Sequence, residues 1–168
     1  MRRVLLPAFI TLSLAACSSP MQRVADHLTK ALANEPVVVT KHDDTVKLTS
    51  DADFLYPPGG WHLSAGAPAL SKMVPTLQPL QHTGITVDGF TDSTPVGPRL
   101  QRMGIRNNYD LSIKRANEAV NYFTAQGVKS DLLSARGFGA NNPVAPNDTV
   151  AGRARNRRIE ITLSGDGT

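Results

Sequence analysis

The sequence is short of several things, and each shortage removes a class of function. Of its 168 residues only Cys17 is a cysteine, so no disulfide framework can form within the chain. No apolar run is long enough to span a bilayer: the longest, Val4 to Leu14, has 11 residues, against the ~20 a membrane helix needs. Charge of one sign is also lacking. The formal net charge is +4, and two of the basic residues are Arg2 and Arg3 at the start of the chain. Without them the 18 basic residues fall to 16 against 14 acidic, a balance that argues against a nucleic-acid partner. The four histidines, His27, His42, His62 and His82, have no metal-ligand spacing and belong to no Ser/His/Asp arrangement. Gly137-Phe138-Gly139 lacks the Lys-Ser/Thr of a phosphate loop and reads as a turn. There is no internal repeat and no low-complexity segment. No catalytic residue, metal or cofactor is therefore expected.

What is present begins with a leader. Met1-Arg2-Arg3, the apolar stretch and then Leu14-Ala15-Ala16-Cys17 have the order of a signal peptide with a lipobox. The expectation is a signal peptide over 1–16 and an acylated Cys17, since several acyl chains anchor firmly where one is marginal. The plainer alternative is an ordinary cleaved leader with Cys17 as a bystander. Ser18, rather than Asp, follows the cysteine, which implies sorting to the outer membrane. Residues 17–36 read as a lipidated tether, part helical because Val24, Leu28, Ala31 and Leu32 recur at helix spacing; a docked first helix is the alternative. One domain, 37–168, follows, of a size that can bury its own core.

Within it, 37–40 and 45–49 flank the polar turn Lys41 to Asp44 as a β-hairpin, with the second strand running on through Phe54. Leu70, Val74, Leu77 and Leu80 give a helix within 63–80, with Pro68 in its first turn and Pro75 kinking or shortening it. Residues 85–90 alternate as a half-buried strand. Residues 94–106, rich in Pro, Gly and Arg, read as a mobile loop. Tyr109 to Ala125 is the clearest helix, capped by Asn107 with Asp110 three residues on, carrying Ile113, Ala116, Val120 and Phe123 as its apolar stripe and stopped by Gly127. A strand at 133–137, a short helix capped by Asp148, and a last strand with Ile159, Ile161 and Leu163 on one face complete the order. Strands alternating with helices imply an α/β two-layer sandwich.

Asp92 ends a strand in loop-rich surroundings, where sites tend to lie. Asn108, Leu111 and Arg115 fall at i, i+3 and i+7 on one helix edge. An anion and a cation side by side suit a zwitterion; the alternative is that Asp92 and Arg115 simply pair. Arg153, Arg155, Arg157 and Arg158 form a basic cluster suited to capping and strand-edge solvation, with a role beside an acidic or carboxylate-rich surface as the alternative.

The blocks Val87 to Asp92, Asn108 to Ala116, Gly137 to Gly139, Pro143 to Asn147 and Gly152 to Arg158 resemble, in order and over roughly 120 residues, the OmpA-like domain shared by OmpA, Pal and MotB. Phe90 departs from the family's usual histidine, and the loop after Asp92 is longer than in Pal and similar to MotB. The resemblance implies a mixed sheet with helices on one face, β-α-β-α-β-(α)-β. It also implies non-catalytic binding of peptidoglycan: Asp92 takes the ammonium of diaminopimelate, Arg115 forks its carboxylate, Thr91, Asn108 and Leu111 shape the pocket, and Arg158 is a further anion partner. With the lipobox it implies a domain facing the periplasm from the outer membrane, linking that membrane to the wall. The alternative is a wall-anchoring structural subunit of an envelope machine, secretion-system or stator-like. Nucleic acid is not an expected partner.

Overall fold

The computed structural model describes residues 18–64 and 67–168; the leader and Cys17 lie outside the described residues. The chain runs α1 (Pro20–Ala31), β1 (Val37–His42), β2 (Thr45–Asp51), α2 (Ala52–Leu55), α3 (Ala67–Leu77), β3 (Thr83–Phe90), α4 (Pro98–Arg102), α5 (Asn108–Ala125), a 3-10 turn (Ser130–Leu132), β4 (Leu133–Gly139), α6 (Val150–Asn156) and β5 (Arg158–Gly165). The strands form one mixed sheet in the order β1-β2-β5-β3-β4. Among the described strands only β3 and β4 run parallel, as strands joined through a helical crossover do.

Period-two alternation sets the faces of the sheet. Val46 and Leu48, Ile85 and Val87, and Ile159, Ile161 and Leu163 are buried; Lys47, Thr49, Thr86 and Ser134 between them are not. The buried face is covered by α1, over β1 and β2, and by α5, over β3 and β4, with α3 touching both helices. The fold is the expected α/β two-layer arrangement.

Residues 18–36 differ from the expected tether. Ser19 Oγ caps α1 by accepting from Gln22 N at 3.1 Å, and Met21, Val24, Ala25, Leu28 and Leu32 are buried in the main core. Five apolar side chains at helix spacing bury too much surface to be left in water, so this segment is part of the domain. The second strand likewise stops at Asp51 instead of reaching Phe54. Ala52, Leu55 and Tyr56 are all buried, a spacing of three and four that a helical turn satisfies and a strand cannot. Ala52 N donates to Arg157 O at 2.8 Å, which fixes the turn.

α3 begins at Ala67, not near Leu63, and ends two residues after Pro75. α5 is capped as expected, Asn107 Oδ1 accepting from Asp110 N at 2.9 Å. Its buried stripe is rotated, however: Ser112, Ala116, Ala119 and Phe123 face the sheet, while Ile113 and Val120 are only half-buried. Small residues lie underneath because α5 rides very close to the strands. A Cβ on Gly89 would stand 2.3 Å from Ser112 O, and one on Gly137 2.6 Å from Ile113 N. α6 is capped by Thr149 Oγ1 on Gly152 N at 3.0 Å, not by Asp148. The expected loop 94–106 contains α4 and has a small core of its own, Val96, Leu100 and Ile105 with Leu111, against which Trp61 packs.

Candidate functional site

Three strand ends meet above the sheet. β3 leads to Thr91 and Asp92, β2 through α2 to Asp53, and Arg157 stands immediately before β5. The close docking of α5 brings Asn108, Leu111 and Arg115 to the same place. Together with Pro58, Gly59 and the segment Thr94 to Gly97 they line a cavity of about 290 Å³.

Asp92 is fixed from two sides. Oδ1 accepts from Thr94 N at 2.8 Å and Oδ2 from Arg157 Nη1 at 2.7 Å. Burial pushes the carboxyl pKa up, but the bonds from Arg157 and Thr94 outweigh it and hold it below the ordinary value of 3.8. Arg157 also forks Asp53, Nη2 to Oδ2 at 2.8 Å and Nε to Oδ2 at 3.0 Å, and these hydrogen bonds hold its own pKa up. A carboxylate has about four acceptor positions, so Asp92 keeps capacity for a further donor. Asn108 Nδ2 donates to Asp92 O at 3.1 Å and Thr94 O at 3.0 Å, tying the strand end to the helix start.

Arg115 is in a different condition. It is 2% exposed, yet among the described residues no carboxylate comes within 4.0 Å of its guanidinium. Nε donates to Gly60 O at 2.8 Å, and the guanidinium carbon sits 5.4 Å from the centre of the Tyr56 ring. Tyr56 in turn donates its hydroxyl hydrogen to Arg115 O at 2.7 Å, holding helix and ring in register; its own pKa is pushed up by burial. Burial pulls the Arg115 pKa down, partly offset by the fields of nearby groups such as Asp53 and Asp92, and a guanidinium remains charged through such a shift. A nearly buried cation without a direct counter-ion is costly. Here Arg115 lines a cavity. Two carboxylates, Asp53 and Asp92, and two guanidiniums, Arg115 and Arg157, line that cavity among apolar residues, so its formal charge sums to zero.

Five of the six pocket residues expected from sequence, Thr91, Asp92, Asn108, Leu111 and Arg115, come together. Arg158 does not. β5 buries Ile159, Ile161 and Leu163 towards the helices, so Arg158 and Glu160 point to the opposite face. There Arg158 bonds Glu160 Oε1 at 2.7 Å and lies 3.7 Å over Phe90, which stacks on Phe138 at 4.9 Å. The alternative, a direct Asp92–Arg115 pair, does not form among the described residues; Arg157 takes Asp92. Arg157 and Asp53 are thus the residues sequence reasoning missed. Strand parity was the available signal for choosing Arg157 over its neighbour, whereas Asp53 was hidden by the assumption that β2 continued. Among the described residues no three His, Cys, Asp or Glu side chains gather as metal ligands, and no helix is long and apolar enough to cross a membrane.

A family model, the OmpA family, matches residues 55–157. The probable lipoprotein YiaD of Escherichia coli is 34% identical over 129 residues, covering 76% of this chain and 55% of YiaD. The peptidoglycan-binding protein ArfA of Mycobacterium tuberculosis is 36% identical over 95 residues, covering 56% of this chain and 27% of ArfA. This chain therefore spans roughly a quarter to just over half of these relatives. Among solved structures, the cell wall anchor of the type VI secretion system (T6SS) from Pseudomonas aeruginosa superposes with a TM-score of 0.75 at 27% identity, over 88% of this chain and 99% of that one.

Proposed function

This chain belongs to the OmpA family, and we propose that it binds peptidoglycan without cleaving it, through the diaminopimelate end of the stem peptide, while Cys17 anchors it to the outer membrane. The observation that carries the reading is Arg115: a buried, pocket-lining guanidinium whose only described hydrogen bond is to the Gly60 carbonyl. A ligand carboxylate supplies the missing counter-charge through two parallel N–H···O bonds. Asp92, oriented by Thr94 and Arg157, accepts the ligand ammonium with its remaining lone pairs, and Asp53 adds negative potential on the same side. Asn108 and Leu111 set the width of the pocket. Binding that needs both a free amine and a free carboxylate selects diaminopimelate over a lysine stem, which lacks the second group.

Titration of the soluble chain from Ser18 with two muropeptides tests this. The diaminopimelate stem is expected to bind at least tenfold tighter than the lysine stem, about 1.4 kcal/mol. Equal affinities would remove the role given to Arg115. A second reading, a wall-anchoring subunit of an envelope machine, is favoured by the near-complete overlap with the secretion-system wall anchor. Machine subunits co-purifying with the membrane-bound chain would support it, and both readings use the same pocket.

A further inference from the structure

The point where the fold begins and the point where the pocket lies are at opposite ends of the sheet. Arg23 Nη1 donates to Ser18 O at 2.8 Å and Ser19 caps α1, so the residue next to Cys17 in sequence is already held against the fold. At this end Gly167 abuts the backbone of Pro20 and Met21, Thr168 O accepts from Gln81 N and His82 N at 2.8 and 2.7 Å, and Thr83, opening β3, pairs with Gly165, closing β5. The β1–β2 turn is here too, Asp44 O accepting from Gly165 N. At the other end β3 runs out to Asp92, and Asp51 pairs with Arg158 beside Arg157. The eight residues of β3 span about 26 Å at ~3.3 Å each. α1, with 12 residues, climbs about 18 Å of the same height. None of the exposed large apolar side chains, Val38, Met103, Tyr109, Val144 and Val150, belongs to the end where α1 starts, which presents His42, Asp43, Asp44, His82 and Asp166.

We infer that the chain is a short rigid strut: the end at Ser18 rests on the lipid headgroups, and the pocket is held about one strand length above them. This rests on the reading of Cys17 as acylated. A single peptide link between the lipidated residue and the first fixed carbonyl leaves no slack, so the domain's own height sets the distance. The polar end suits contact with headgroups rather than insertion.

The test uses the full acylated chain carrying Val150→Cys, dye-labelled there and reconstituted in phosphatidylethanolamine–phosphatidylglycerol vesicles with a headgroup acceptor. Val150 is 76% exposed and three residues from Asn147, whose Oδ1 accepts from Ser93 N beside the pocket. A companion variant carries a 20-residue Gly-Ser spacer after Ser18, with a second Ser before Ser19 to restore the start of α1. The expected result is one narrow distance about 25–35 Å above the headgroups for the parent, and a longer, broader distribution for the spacer variant. Identical distributions, or a dye at the headgroup plane, would overturn the strut. Mass spectrometry showing a Cys17 without acyl chains after expression in membranes would overturn it as well. No readout involves peptidoglycan, so failure here is separable from failure of the binding reading.

Discussion

Arg115 and Asp92 are both charged and buried, but they are held in opposite ways, and substitutions should separate them. Arg115 has no carboxylate partner among the described residues, so Arg115→Met, which keeps the apolar stem, should leave the thermal midpoint equal to or above the parent's while affinity for the diaminopimelate stem falls at least tenfold. Arg115→Lys should also bind weakly, because an ammonium cannot reproduce the fork. Paired melting curves and titrations check both. Asp92 contributes to the fold itself. Its pKa is lowered on folding, so its stabilisation is complete above the ordinary carboxylate value and is lost as pH falls through the lower, folded value. The urea midpoint of the parent should therefore drop on acidification more steeply than that of Asp92→Asn; parallel curves would contradict the assignment. At this scale the sequence located the pocket through Asp92 and the helix edge Asn108–Leu111–Arg115. It put Arg158, as a further anion partner, where Arg157 stands, because the two differ by one residue and one residue reverses the face of a strand.

The element that sets the site is α5, and its closeness to the sheet depends on the absence of two side chains. Gly89→Ala puts a Cβ 2.3 Å from Ser112 O; overpacking of this kind costs about 1–3 kcal/mol, and the lifted helix carries Asn108 and Arg115 with it. Denaturant midpoint and affinity should fall together, whereas a loss of stability alone would mean that the helix position does not set the pocket. The segment around α4 makes the converse case. Ile105 is fully buried in the small core under the pocket rim. Ile105→Ala, a change that costs about 2–5 kcal/mol in a rigid core, should loosen hydrogen-exchange protection over 94–106 and weaken binding while β2, β3 and β5 stay protected. Which elements exist was legible from periodicity: the hairpin, α5, and Ile159–Ile161–Leu163 facing one way. Their ends were less so. Ala52, Leu55 and Tyr56 turn inward because of a bond to Arg157 O, 105 residues away in sequence, and no local pattern reports that. α5 buries Ser112 rather than Ile113 because glycines on neighbouring strands invite small residues, a fact of packing and not of period.

For the whole molecule, the largest departure from sequence reasoning is α1, which sits in the core rather than leading to it. Leu28 is fully buried, so Leu28→Ala should lower stability by about 2–5 kcal/mol in equilibrium unfolding. A tether would give the ±0.5 kcal/mol of a surface change. With α1 packed, the described residues share one main core, with two carboxylates and two guanidiniums lining a pocket at one end. The most direct test of the central claim is co-sedimentation with purified diaminopimelate-type sacculi, comparing the parent with Arg115→Met and Asp92→Asn proteins shown by circular dichroism to be folded. The parent should pellet with the wall, and both variants should stay largely in the supernatant, since losing one member of a desolvated charge contact costs about 2–5 kcal/mol. Folded variants that pellet as completely as the parent would show that the wall is held somewhere other than the pocket of Asp92 and Arg115.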